Sequence, residues 1–179
     1  MRTRLSLLPV VLLVASAWGQ NTNAVPQKAE ARIQKEVRHE LVMLPYLTVF
    51  DNLAYKVEGY KVTLMGQVTR PVLKSDAENA VKRIEGVEQV DNQIEVLPTS
   101  PMDDQIRRKL YFAIYGDPAL QKYAMPVIKP IRIIVKNGRV DLEGVVDSES
   151  DKNIAGIRAK SVPGTFSVDN HLTVSSGTQ

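Results

Sequence analysis

The chain contains no cysteine among its 179 residues, which excludes disulfides, thiolate metal sites and a lipid-modified N-terminal cysteine. Histidine occurs only twice, and aromatic residues make up 6% of the chain. His39-Glu40 echoes a metal-binding helix, but Met43 stands where the second histidine is needed, and His171 falls in an expected strand. No metal or cofactor is therefore expected. Also missing are the G-x-S-x-G, G-x-G-x-x-G and P-loop strings that would announce acyl transfer or nucleotide chemistry. No apolar run approaches the roughly 20 residues of a membrane span.

What the N-terminus does hold is a leader pattern. Arg2 and Arg4 precede an apolar run from Leu5 to Val14, and the small residues Ala15, Ala17 and Gly19 follow. That order predicts a secretory signal over residues 1–19, cleaved after Gly19 or, alternatively, after Ala17. The expected location is periplasmic or secreted. Removing Arg2 and Arg4 reduces 23 basic residues to 21, against 20 acidic ones, a net charge of +1. The apparent basicity belongs to the leader, so no nucleic-acid footprint is expected.

The rest of the chain repeats itself. Lys61–Val68, KVTLMGQV, returns 78 residues later as Arg139–Val146, RVDLEGVV. Over 61–96 and 139–174, 12 of 36 positions are identical without a gap, where chance gives about two. The front halves align at an offset of 73 instead, Ile33, Val37 and Leu41 onto Ile106, Leu110 and Ile114, so the second copy carries five extra residues (78 minus 73). The expected organisation is one module at 28–97, a Pro-Thr-Ser-Pro linker at 98–101 and a second module at 102–175.

Each copy opens with apolar residues at helical spacing, Ile33, Val37, Leu41 and Leu44, then Ile106, Leu110, Ala113 and Ile114. Two strands follow. Asn137-Gly138 is the dipeptide of a type I′ hairpin, and Gly59 marks the corresponding turn in the first copy. A second helix is expected with Thr69 or Asp147 as N-cap and with Gly86 or Gly164 as a left-handed C-terminal cap. A last strand runs near Gln89–Val96 and Ser167–Val174. The fold class is α+β: two tandem α-β-β-α-β modules, each a small three-stranded mixed sheet packed on two helices.

These positions resemble the BON domain family. The pattern is an amphipathic helix, then Val62, Leu64, Gly66 and Val68, then Gly86, Val87, Val90, Asn92, Ile94 and Val96. The second copy supplies Val140, Leu142, Gly144 and Val146, then Gly164, Val168, Asn170, Leu172 and Val174. It departs at Thr165, where an apolar residue is expected, and at Pro163. The resemblance implies a non-enzymatic, periplasmic or exported protein concerned with envelope integrity and osmotic stress. It also implies an anionic phospholipid surface as partner or, alternatively, another envelope protein.

Three groups of residues invite a functional reading. Asp141, Glu143, Asp147, Glu149 and Asp151 are dense enough for a carboxylate pair, yet strand alternation places the first two on an exposed face. Asp147 and Glu149 open a helix, where the dipole favours negative charge. Gly66 and Gly144 suggest either a ligand nearing the backbone or close packing, and packing is the expectation. On the second copy's first helix, Tyr111, Phe112 and Tyr115 fall opposite the apolar stripe, beside Arg108. Such a face suits a membrane or protein contact, unless the segment from Asp117 through Lys129 folds over it. Asp117-Pro118 predicts a short extra helix in that segment.

Overall fold

A computed structural model describes residues 27–175; the expected leader lies outside the described residues. The first module runs α1 (Gln27–Val42), β1 (Asn52–Glu58), β2 (Lys61–Val68), α2 (Pro71–Lys82), β3 (Gln89–Asn92) and β4 (Glu95–Val96). The second repeats it as α3 (Pro101–Tyr115), β5 (Ile131–Lys136), β6 (Arg139–Val146), α4 (Glu149–Lys160), β7 (Ser167–Asn170) and β8 (Thr173–Val174). One 3-10 turn, Gln121–Ala124, interrupts the longer connection between α3 and β5. The two α-β-β-α-β modules are as the duplication predicts.

In each sheet the middle strand pairs antiparallel with the strand before it and parallel with the strand after it. The expected third strand is cut in two. Its register survives the cut, with Lys61 opposite Gln89 and Gln67 opposite Glu95, so the strand is interrupted rather than shifted. An asparagine holds each break. The Asn92 amide donates to the Lys74 carbonyl on α2, and its side-chain oxygen accepts the Ile94 N–H. Asn170 does the same with Lys152 and Leu172. Asn92 also donates to the Glu78 carboxylate, a bond its counterpart lacks because Gly156 occupies that place.

The helices bury the stripes their spacing predicts: Ile33, Val37 and Leu41 on α1, and Ile106, Leu110 and Ile114 on α3. Gly66 and Gly144 are the points of closest approach. A Cβ there would lie 2.1 Å from the Asn52 oxygen and 1.9 Å from that of Pro130, so the crowding comes from the neighbouring strand's backbone, not from a helix. Asn137 and Gly138 both take positive φ, as a type I′ turn requires.

Several local expectations are corrected. The helix caps are Arg70, ahead of Pro71, and Ser148, whose hydroxyl accepts the Asp151 N–H. Thr69 and Asp147 stand one residue outside. Gly86 and Gly164 do not cap α2 and α4, which end on Arg83 and Ser161. Each sits third in a turn closed by Val87 N–H to Ile84 carbonyl, or Thr165 N–H to Val162 carbonyl. Positive φ at that position is the type II signature, and proline is favoured just before it, which accounts for Pro163. Ser100 and Pro101 belong to α3, the first as its N-cap.

The modules touch through the chain between α1 and β1. Buried Asp51 organises it, one oxygen accepting from the N–H and hydroxyl of Thr48, the other from those of Thr69. With the loop so fixed, the Val49 carbonyl accepts the Ile133 N–H from β5, and Arg132 donates to the Thr48 carbonyl at 2.9 Å. Val49 and Phe50 pack onto the core of the second module.

Candidate functional site

α3 presents the expected aromatic face only in part. Its N-terminal half is committed to the hairpin. Buried Asp103 accepts the N–H groups of Asn137 and Gly138, and buried Arg107 donates to the Val135 carbonyl. Neither residue stands out in the sequence, because both lie beside the apolar stripe, where a charged side chain usually points to solvent.

Further along α3 the four candidates separate. Tyr115 is buried, 5% exposed, and its hydroxyl donates to the Ile131 carbonyl. Burial pushes that hydroxyl's pKa well above the usual tyrosine range. Tyr111 is half-buried and meets Phe50 edge-on at 6.5 Å, Phe112 at 5.7 Å and Tyr115 at 5.1 Å. Only Phe112, 72% exposed, and Arg108 face solvent. Part of the cover comes from Phe50 of the first module, a contact the repeat pattern does not anticipate.

The insertion behaves as two halves. In place of the expected helix, Asp117 accepts the Ala119 N–H and pairs with Arg158, and the 3-10 turn begins only at Gln121. Leu120 and Tyr123 are buried. The Tyr123 hydroxyl accepts the Asp147 N–H and donates to Asp151, while the Lys122 ammonium pairs with both carboxylates at 2.8 and 2.9 Å. Burial acts to raise the Asp151 pKa, but Lys122, Tyr123 and Ser148 outweigh it and hold the carboxyl below its usual range. The suspected carboxylate pair is thus an anchor for the insertion. Asp141 differs: burial and neighbouring Asp169 push its pKa up, with His171 pulling the other way. Among the described residues, no group of three or more His, Asp or Glu is placed to hold a metal.

Beyond Tyr123 the insertion turns outward. Met125, Val127 and Ile128 are 81%, 99% and 45% exposed, so this half of the Asp117–Lys129 segment does not fold over the aromatic face. Lys129 holds the tip from beneath, donating to the Ala124 carbonyl at 3.0 Å and lying 5.8 Å from the Tyr115 ring centre. Sequence reasoning missed these three as surface residues. The signal was present in Pro126 and Pro130, which deny the segment any regular element with which to turn its apolar residues inward.

The family match decides what this duplicated architecture is. The BON domain model matches residues 29–98 and again 102–176. The chain belongs to the BON domain family. BON domains are non-catalytic binding modules associated with the membrane and envelope, typically in periplasmic or envelope proteins. No curated protein matches the chain. Two solved structures with similarity to it come from Chlamydia trachomatis. One is described as CdsD, a structural protein of the type III secretion system: it is 11% identical, with 80% of this chain and 92% of that one covered and a TM-score of 0.32. The other is the C-terminal domain of the same protein, 11% identical, with 78% and 96% covered and a TM-score of 0.28. Among the described residues of this BON protein, no helix is long and apolar enough to cross a membrane.

Proposed function

We propose that this BON protein is a non-enzymatic binding module of the cell envelope that contacts anionic phospholipid membrane through its second module. In that role it would support envelope integrity under osmotic stress, and a cleaved leader would bring it to the periplasm or the exterior. One observation carries the reading: the insertion tip holds Met125, Val127 and Ile128 outward on a loop fixed by Lys129. Fully burying such side chains contributes about 1.5–3 kcal/mol each, and each basic residue near an anionic surface adds about 1 kcal/mol. Module two supplies that charge, with 11 basic and 9 acidic residues over 102–175 against 10 and 11 over 20–101. A fixed loop has already lost its conformational freedom, so little further ordering opposes insertion. Co-sedimentation of the mature protein with anionic vesicles at low salt tests this. Binding that disappears in Met125→Asp with Val127→Asp supports the reading, and a wild-type protein left in the supernatant rejects it.

A second reading, as an adaptor for another envelope protein, rests on exposed Phe112 beside exposed Arg108, the residue types that anchor protein interfaces. A stoichiometric crosslinked partner lost on Phe112→Ala, with vesicle binding unchanged, would favour it.

A further inference from the structure

Where α1 faces the start of β5 and the insertion tip, the two modules leave an open cleft of about 760 Å³. Two smaller hollows, of about 340 and 360 Å³, adjoin it, and Val42 and Arg132 line all three. The walls of the large cleft carry Lys35 and Arg38 from α1 and Lys129 and Arg132 from the second module. Val42, Ile128 and Val145 supply apolar surface between them, and no aspartate or glutamate lines it. Asp51 borders a smaller hollow, but both its oxygens already serve Thr48 and Thr69. Among the described residues, none of the four cations stands in an ion pair.

That is an unusual concentration in a chain whose basic and acidic residues otherwise nearly cancel. Arg132 bears the cost. Burial lowers its pKa below the ordinary arginine value, and Tyr115 and Asp51 offset this only in part. Its bond to the Thr48 carbonyl uses one of five N–H donors. A half-buried cation that is compensated only in part is costly to hold until an anion arrives.

We infer that this cleft binds one single-chain anionic amphiphile, its head between Arg38, Lys129 and Arg132 and its alkyl chain along Val42, Ile128 and Val145. Apolar walls with a few convergent polar groups are the pattern of a small-molecule pocket, and the volume lies within the usual range of about 300–1,000 Å³. A folded partner would need roughly 800 Å² of matching surface on each side, more than a cleft of this size offers. The cleft shares Ile128 and Lys129 with the insertion tip, but Met125 lines none of the three hollows, so a substitution there acts on membrane contact without touching the cleft.

Titration calorimetry of the mature protein with dodecanoate below its micelle concentration tests the inference. The expected result is one molecule per chain, with affinity reduced about tenfold or more in Arg38→Gln, where a charged hydrogen bond is lost. Val145→Asp is expected to weaken binding by a similar factor. Arg132→Gln should do the same but also frees the Thr48 carbonyl, so exposed Arg38 is the cleaner probe. Acetate and inorganic phosphate test the head alone, and dodecyltrimethylammonium tests the chain with the opposite charge; none of them should match dodecanoate. Absence of dodecanoate binding, unchanged affinity in Arg38→Gln and Val145→Asp, or equal binding of phosphate would overturn the inference. Met125→Asp should leave dodecanoate binding intact while weakening vesicle binding, which separates failure of this site from failure of the membrane reading.

Discussion

Two residue types mark the BON pattern in this chain, and each has a distinct physical job. At positions 66 and 144 an added methyl group would overlap a neighbouring carbonyl oxygen, and the φ values of 108° and 119° are strained for any other residue. Gly144→Ala is expected to cost at least about 2 kcal/mol in urea unfolding, through strain that the sheet cannot relieve. At positions 92 and 170 the job is a clamp between the broken strand and the helix packed on it. Asn170→Ala removes two hydrogen bonds and should cost about 2 kcal/mol, while Asn170→Asp, which keeps only the acceptor, should be no better. The sequence shows that these residues recur. It does not show why, because the clamp's partner carbonyls lie 18 residues away on another element. The caps are a different case. Pro71 at N1 and the Ser148-x-x-Asp151 spacing both pointed to the observed caps, and one-residue misplacement came from aligning Thr69 with Asp147 instead.

Elements built on a single periodic stripe, α1 and α3, were legible because one buried face dictates the spacing. The insertion was not, because its halves obey different constraints. Its first half is held by polar contacts to α4, and these contacts give it a pH dependence. Asp117 and Asp151 both have folded pKa values below the ordinary one, Asp117 through the Ala119 N–H and Arg158. The folded state therefore binds fewer protons, and this contribution is present above the unfolded value near 3.9 and lost as pH falls through the folded value. Asp141, with its raised pKa, works in the opposite direction over the window just above the ordinary value. Module two should thus lose stability on acidification below about pH 4, as two groups outweigh one. Tyr123→Phe keeps the buried ring but leaves the Asp147 N–H and Asp151 without their hydroxyl. Unfolding followed from pH 7 to pH 3 should show a loss of about 1–2 kcal/mol at neutral pH, and the further loss on acidification should be smaller and complete at a higher pH, because the folded Asp151 pKa moves toward the unfolded one. An unchanged acid limb would mean the hydroxyl contributes nothing there.

In the whole molecule, duplication conserved the core and freed the surface. The two sheets match strand for strand, whereas the insertion, the hairpin clamp of Asp103 and the basic cleft have no counterpart across the repeat. The contact between modules was invisible in the sequence, since Thr48, Val49 and Phe50 lie in a stretch without period or motif. Phe50→Ala should therefore weaken hydrogen-exchange protection in α3 and β5, elements of the other module, because Phe50 packs on that core. Protection lost only in the first module would refute the coupling.

The central claim is that the second module, through its insertion tip, is the part that meets the membrane. The absence of cysteine gives a direct way to test it, because a single introduced thiol takes a label without competition. An environment-sensitive fluorophore on Val127→Cys, at the tip, can be compared with one on Val72→Cys, exposed on α2 of the first module. On addition of anionic vesicles at low salt, the account predicts a blue shift at position 127 and none at position 72. Equal shifts at both positions, or a shift at 72 alone, would contradict it.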